Sequence, residues 1–87
     1  MASDAAETPI GRITHYYSRL GVGIIELTEG ELKVGDTIHI KGKHTDFTQQ
    51  VDSMQIEHQS VAQAPKGKVV GIKVKDKVRE HDQVLRI

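Results

Sequence analysis

The chain contains no cysteine and no tryptophan. The first absence removes disulfides, thiolate nucleophiles and cysteine-ligated zinc together, and it suits a reducing compartment. Aromatic residues are almost missing as well: Tyr16, Tyr17 and Phe47 are all there are. Any core must therefore be aliphatic, built from Val, Ile and Leu, and the abundance of β-branched residues favours strands. No stretch approaches the roughly 18 apolar residues that a membrane helix needs. The opening MASDAAETPI carries two acids and no apolar run, so no signal peptide is expected, and the expected location is the cytoplasm. Charge of one sign is not in excess: twelve basic and twelve acidic residues cancel, which argues against a polybasic arm or an acidic tail. With 87 residues, 37% of them hydrophobic, the chain has room for one domain burying about 60–65% of its unfolded surface.

What is present alternates. Ile38 and Ile40 alternate with Thr37, His39 and Lys41; Val70, Ile72 and Val74 alternate with Gly71, Lys73 and Lys75. This period of two is that of strands with one buried face, and no window carries a helical i, i+3, i+4, i+7 pattern. Turn signals at Glu29-Gly30-Glu31, Gly35-Asp36, Lys41-Gly42-Lys43, Pro65-Lys66-Gly67-Lys68 and Glu80-His81-Asp82 divide the strands. Their spacing predicts a small barrel or sandwich of six or seven strands. Residues 1–8 are small and polar and are expected to be a disordered lead-in, with Pro9 opening a single ordered domain over residues 9–87. One segment breaks its own parity: Phe47 and Val51 against Met54 and Ile56. A β-bulge near Asp52-Ser53 would re-aim the side chains. The same ambiguity touches Val22 and Ile24 against Ile25 and Leu27.

Chemistry is thin. Gly21-Val22-Gly23 lacks the later glycine, the Lys-Ser/Thr pair and the helix of a phosphate loop, so no nucleotide is expected. The five histidines, His15, His39, His44, His58 and His81, do not stand at ligand spacing, and no metal or other cofactor is expected. The acids Glu26, Glu29, Glu31 and Asp36 flank a turn where solvated charge is the default, and Ser18, Ser53 and Ser60 lack a neighbouring base. No catalytic residue is predicted, and the chain is read as a non-enzyme. Charge is nevertheless uneven. Lys66, Lys68, Lys73, Lys75, Lys77 and Arg79 face one acid, Asp76, in residues 66–79. Such a stripe either tracks a phosphate backbone or protects a strand edge from aggregation.

Four blocks then resemble a known pattern. Gly30-Glu31-Leu32-Lys33-Val34-Gly35-Asp36-Thr37-Ile38 resembles the hallmark of the β-barrel second domain of translational GTPases such as elongation factor Tu. Val51–Ile56 resembles that domain's central strand. Val61–Ala64 through Val69–Val74 resembles its "alanine, glycine, then Val-Gly-Ile" strand, and Val78–Leu85 its closing Arg-x-Gly-Asp-x-Val-Leu, with His81 in place of the glycine. Similar barrels appended to some collagenase-like peptidases also carry the Gln-Ile-x-His piece found at Gln55–His58. The resemblance implies that Gly35-Asp36 makes a tight turn and that Leu32 and Val34 plug the barrel. It further implies a translation-factor-like, non-catalytic module in protein biosynthesis that binds tRNA or another RNA. The expected surface is Arg12, His15, Tyr17 and Arg19 on the first hairpin together with Lys73, Lys75 and Lys77. The alternative is a protein-interaction module or an accessory domain for a separate enzyme. Neither reading involves a membrane.

Overall fold

The computed structural model describes residues 7–87. Among these the fold is all-β, with no helix. Ten strands follow in chain order: β1 Thr8–Tyr17, β2 Val22–Glu26, β3 Leu32–Lys33, β4 Thr37–Lys41, β5 Asp46–Gln50, β6 Met54–Ile56, β7 Gln59–Val61, β8 Gln63–Ala64, β9 Val69–Lys73 and β10 Gln83–Arg86. Eight of them form one curled antiparallel sheet, ordered β5-β4-β10-β1-β2-β9-β6-β7, and β3 pairs with β8 in a separate ribbon. The expected closed barrel of six or seven strands is thus corrected to a half-barrel of eight strands plus a ribbon. The difference lies in strands of two or three residues, too short to show a period, and in one long strand that splits.

That split falls where the parity fails. The ladder lapses at residues 51–53, and the chain changes partners there: β5 pairs with β4, while β6 pairs with β9 and β7. Val51 and Met54 can then both be buried despite opposite parity. No ladder joins β5 to β9; a side chain spans the gap. The Gln49 amide nitrogen donates to the Lys73 carbonyl at 2.8 Å, and its Oε1 accepts from the Lys75 N–H at 2.8 Å.

The core is aliphatic, as the composition requires. Ile10 and Ile13 of β1, Ile25 of β2, Ile38 and Ile40 of β4, Val70 and Ile72 of β9 and Val84 of β10 are buried together with Leu27, Leu32, Val51 and Met54. Tyr16, Phe47 and Val74 pack at its margin, so Val74 is half-buried where full burial was expected. Strand β1 bulges twice, at Pro9/Gly11 against β10 and at Ile13/His15 against β2. The first bulge lets Ile10 and Ile13, of opposite parity, face the same interior. It also brings Gly11 so close to β2 that a Cβ there would lie 2.2 Å from the Glu26 carbonyl oxygen.

Turn chemistry follows the sequence signals in part. Gly35 takes a φ of 98°, and the Asp36 carboxylate accepts the Lys33 N–H at 2.9 Å. Leu32 is buried below this turn, but Val34 is 42% exposed and plugs nothing. His81 holds a φ of 77°, the left-handed conformation natural to a glycine. The turn it serves is fixed by backbone bonds from the His81 N–H to the Ile13 carbonyl and from the Ile13 N–H to the Asp82 carbonyl, both 2.8 Å. Of the predicted lead-in, residues 1–6 lie outside the described residues; Glu7 precedes β1 and Thr8 opens it.

Candidate functional site

Strand β2 has apolar residues on both faces. Gly23 and Ile25 point to the core, leaving Val22 and Ile24 outside and half-buried. On β9 the outward positions are Val69, Gly71 and Lys73. Gly71 has no side chain, so the strip above it stays low; a Cβ there would touch Ile24 and Val22 at 3.4 Å. Two hairpin tips rise beside this floor. The β1–β2 turn contributes Tyr17 and Leu20, and the β6–β7 turn contributes Ile56, Glu57 and His58. The result is an open groove of about 650 Å³. Its apolar walls are unusually bare: Leu20 is 63% exposed, Val69 50% and Tyr17 49%. Ligand sites combine an apolar lining with a few polar groups, and here the polar groups are Gln55, Glu57, His58 and Lys68. The backbone of the floor is spent in the β2–β9 ladder, from Val22↔Lys73 to Glu26↔Val69. Contacts to the floor must therefore be made by side chains.

The β6–β7 turn is strained. Only Glu57 and His58 separate the paired residues Ile56 and Gln59, and their φ angles are 50° and 68°. Two successive positive φ values define the type I′ hairpin, a geometry that favours Asn-Gly. Each non-glycine residue held there costs about 1 kcal/mol or more. Exchanging the pair for Asn-Gly (E57N with H58G) is accordingly expected to raise stability by about 1–2 kcal/mol, read as a higher urea midpoint. An unchanged or lower midpoint would show that the native pair makes compensating contacts. A strained segment beside a groove is the usual location for a contact residue.

The residues selected from sequence are dispersed. Arg12 is exposed but paired with Glu26 at 3.1 Å. The His15 and Tyr17 rings pack at a 59° tilt with centres 4.4 Å apart, and His15 lies 3.8 Å from Glu80. Arg19 stands exposed in the turn after β1. Strand β9 ends at Lys73, so the three lysines do not continue along one strand. Lys73 and Lys75 border a depression with Gln49, Gln50 and Asp52. Lys75 lies 5.9 Å over the Phe47 ring. Lys77 borders a different depression with Asp76, Arg79, His44 and Asp46. Of the seven, the apolar groove takes only Tyr17. Sequence reading missed Leu20, Val22, Ile24 and Val69; the signal was the double-sided apolar pattern of β2.

No family model matches this chain. It is 45% identical over 84 residues to an uncharacterized protease of Methanocaldococcus jannaschii, and 42% identical over 81 residues to a collagenase of Porphyromonas gingivalis. These matches take in 95% and 92% of this chain but 20% and 22% of the relatives, so the chain spans about a fifth of their length. Among solved structures it is similar to the C-terminal domain of a proposed U32 peptidase of Geobacillus thermoleovorans. The TM-score is 0.84 at 19% identity, over 93% of this chain and 92% of that one, a likeness of fold.

These findings overturn the resemblance to translational GTPases and with it the translation-factor-like function and the role in protein biosynthesis. The relatives found are named protease and collagenase, and the solved neighbour is the C-terminal domain of a proposed U32 peptidase. The physical reason for the misassignment is visible in the fold. Gly35-Asp36 serves a turn, with a φ of 98° at Gly35, and Val70 and Ile72 serve the core, so the residues that carry the resemblance do architectural work. The piece that pointed toward collagenase-like peptidases, Gln55–His58, forms the wall of the groove.

Proposed function

We propose that this chain is a non-catalytic accessory domain that acts with a collagenase-like peptidase of the U32 type, attached or separate, and that it contacts the peptidase through the groove between its two hairpin tips. The observation that supports this reading is the extent of the matches. Nearly all of this chain, and only about a fifth of each protease, is shared. A contact between this domain and the remaining four-fifths of such a protein would need an apolar surface on it. A bare strip formed by Leu20, Val69 and Tyr17 is the kind of surface that isolated domains rarely leave open. The lysines outside the groove have no part in this contact.

The reading also assigns no turnover to the isolated chain.

The test is a chimera in which this chain replaces the 84-residue matching stretch of the archaeal protease. Amides around Leu20 and Val69 should exchange at least about tenfold more slowly in the chimera than in the free domain, since an interface contact of this kind is worth about 1–2 kcal/mol. Leu20→Asp together with Val69→Asp should remove that protection and leave the domain folded, because both residues are exposed. Equal exchange in free domain and chimera would place the contact elsewhere.

A further inference from the structure

His39 occupies the middle of β4 on its outer face, with a side chain only 14% exposed. Its two ring nitrogens are both engaged by carboxylates. Nδ1 lies 3.0 Å from Oε2 of Glu7, and Nε2 lies 2.5 Å from Oδ1 of Asp46. A neutral imidazole has one N–H and one lone pair, so it can donate to only one carboxylate and turns a lone pair toward the other. The imidazolium donates to both. The arrangement is that of a protonated ring.

The three residues come from separate parts of the chain. Asp46 opens β5, and Glu7 precedes β1. In the sheet β10 lies between β1 and β4, with Pro9 opposite Leu85 and Leu85 opposite His39. Glu7 therefore reaches across one strand to fasten the start of β1 to the β4–β5 hairpin. That start is otherwise lightly held: Pro9 has no N–H to give to the ladder, and the register slips at the next residue.

We propose that Glu7, His39 and Asp46 form a proton-operated clasp that secures residues 7–9 alongside β10 while the ring is doubly protonated and loosens them when the proton leaves. The clasp sets the direction from which any polypeptide preceding Thr8 would approach the sheet. In this it goes beyond the accessory role and does not depend on it.

The neighbours of the ring set the sign. The hydrogen bond to Asp46 raises the proton affinity of His39 most, partial burial opposes it, and the hydrogen bond to Glu7 adds to the rise; the net shift is upward. Lys41 on β4 is the register partner of Asp46. Arg86 on β10 is turned to the Glu31 carbonyl at 2.9 Å. Thr48 and Leu85, opposite His39 on β5 and β10, carry no charge. Because the folded-state pKa is raised, the fastening is complete below the ordinary histidine value of about 6.5 and is lost as pH rises through the higher folded value.

The experiment follows the His39 ring by NMR from about pH 5.5 to 8.5, with amide-exchange protection factors for Thr8 to Arg12 measured alongside. Protection at Thr8 to Arg12 should fall about tenfold across the ring's own titration, the loss expected for a hydrogen bond to a charged group, while Ile38, Ile40 and Val84 stay protected. Glu7→Gln should lower the ring's pKa and leave residues 8–12 at the low-protection level across the range. His39→Gln should make their protection independent of pH. Constant protection across the wild-type titration, a ring that titrates at or below the ordinary value, or a pH response that survives in His39→Gln would each overturn the clasp. Should His39→Gln fail to fold, Glu7→Gln decides alone, since that residue lies at the margin of the domain.

Discussion

Gly11→Ala is expected to lower stability by about 3 kcal/mol, at the upper end of what overpacking costs. One methyl group suffices because of what it meets. A Cβ at this position lies 2.2 Å from the Glu26 carbonyl oxygen, 3.0 Å from its carbon and 3.1 Å from the Leu27 Cα. All three atoms are backbone, so no rotamer change clears the space. Relief requires β1 to lift from β2 next to the Arg12↔Glu26 pair, and the bulge that turns Ile10 inward would be pulled out of place. The urea midpoint should drop by at least about 1 M with little change in slope. A loss below about 1 kcal/mol would mean that the bulge opens freely, and that β1 is held mainly by its side chains.

Ile72→Ala is expected to cost about 2–4 kcal/mol. Ile72 is 1% exposed and lies opposite Gly23 on one side and Met54 on the other. Gly23 has no side chain to move into the vacated space, so the cavity persists and the cost falls toward the upper half of that range. A domain of this size has about 5 kcal/mol of total stability, and thermal denaturation should show the midpoint falling by about 10 °C or more. A fall of under about 4 °C would place Ile72 outside the working core.

Much of this architecture is legible in the sequence where side chains alternate cleanly. Ile38, Ile40, Val70 and Ile72 were selected as core from alternation alone, and each is at most 1% exposed. The parity failure between Val51 and Met54 falls where the ladder lapses and the chain changes partners, a break between two strands where a bulge within one was expected. An equivalent signal in β1, Ile10 and Ile13 of opposite parity with Gly11 between them, went unread. Two features left no local trace. A Glu-His pair carries none of the usual marks of a type I′ turn, so nothing local announces the β6–β7 hairpin. Gln49 looks like any polar residue on an edge, and its bridging role depends on a strand 24 residues away. The groove was half legible. A strand with apolar residues on both faces implies a second buried or partnered surface, and Val22 and Ile24 of β2 line the groove on that second face. Family assignment failed for a different reason: the motif residues serve turns and core packing, and a likeness at such positions carries function only by analogy.

The position of β10 also governs when the domain can form. Residues 83–86 are the last strand in the chain order, yet they lie inside the sheet, paired with β1 on one side and β4 on the other. A chain growing on the ribosome makes β1 through β9 before it has the piece that joins them. Until then β4 and β5 can form one hairpin, and β1, β2, β9, β6 and β7 another patch, with no ladder between the two. Each patch exposes the edge that β10 will cover, and such edges pair with whatever strand is at hand. Folding of this domain therefore waits for β10, and the interval before that strand is available is the time at which these residues are most open to aggregation and to the attention of chaperones.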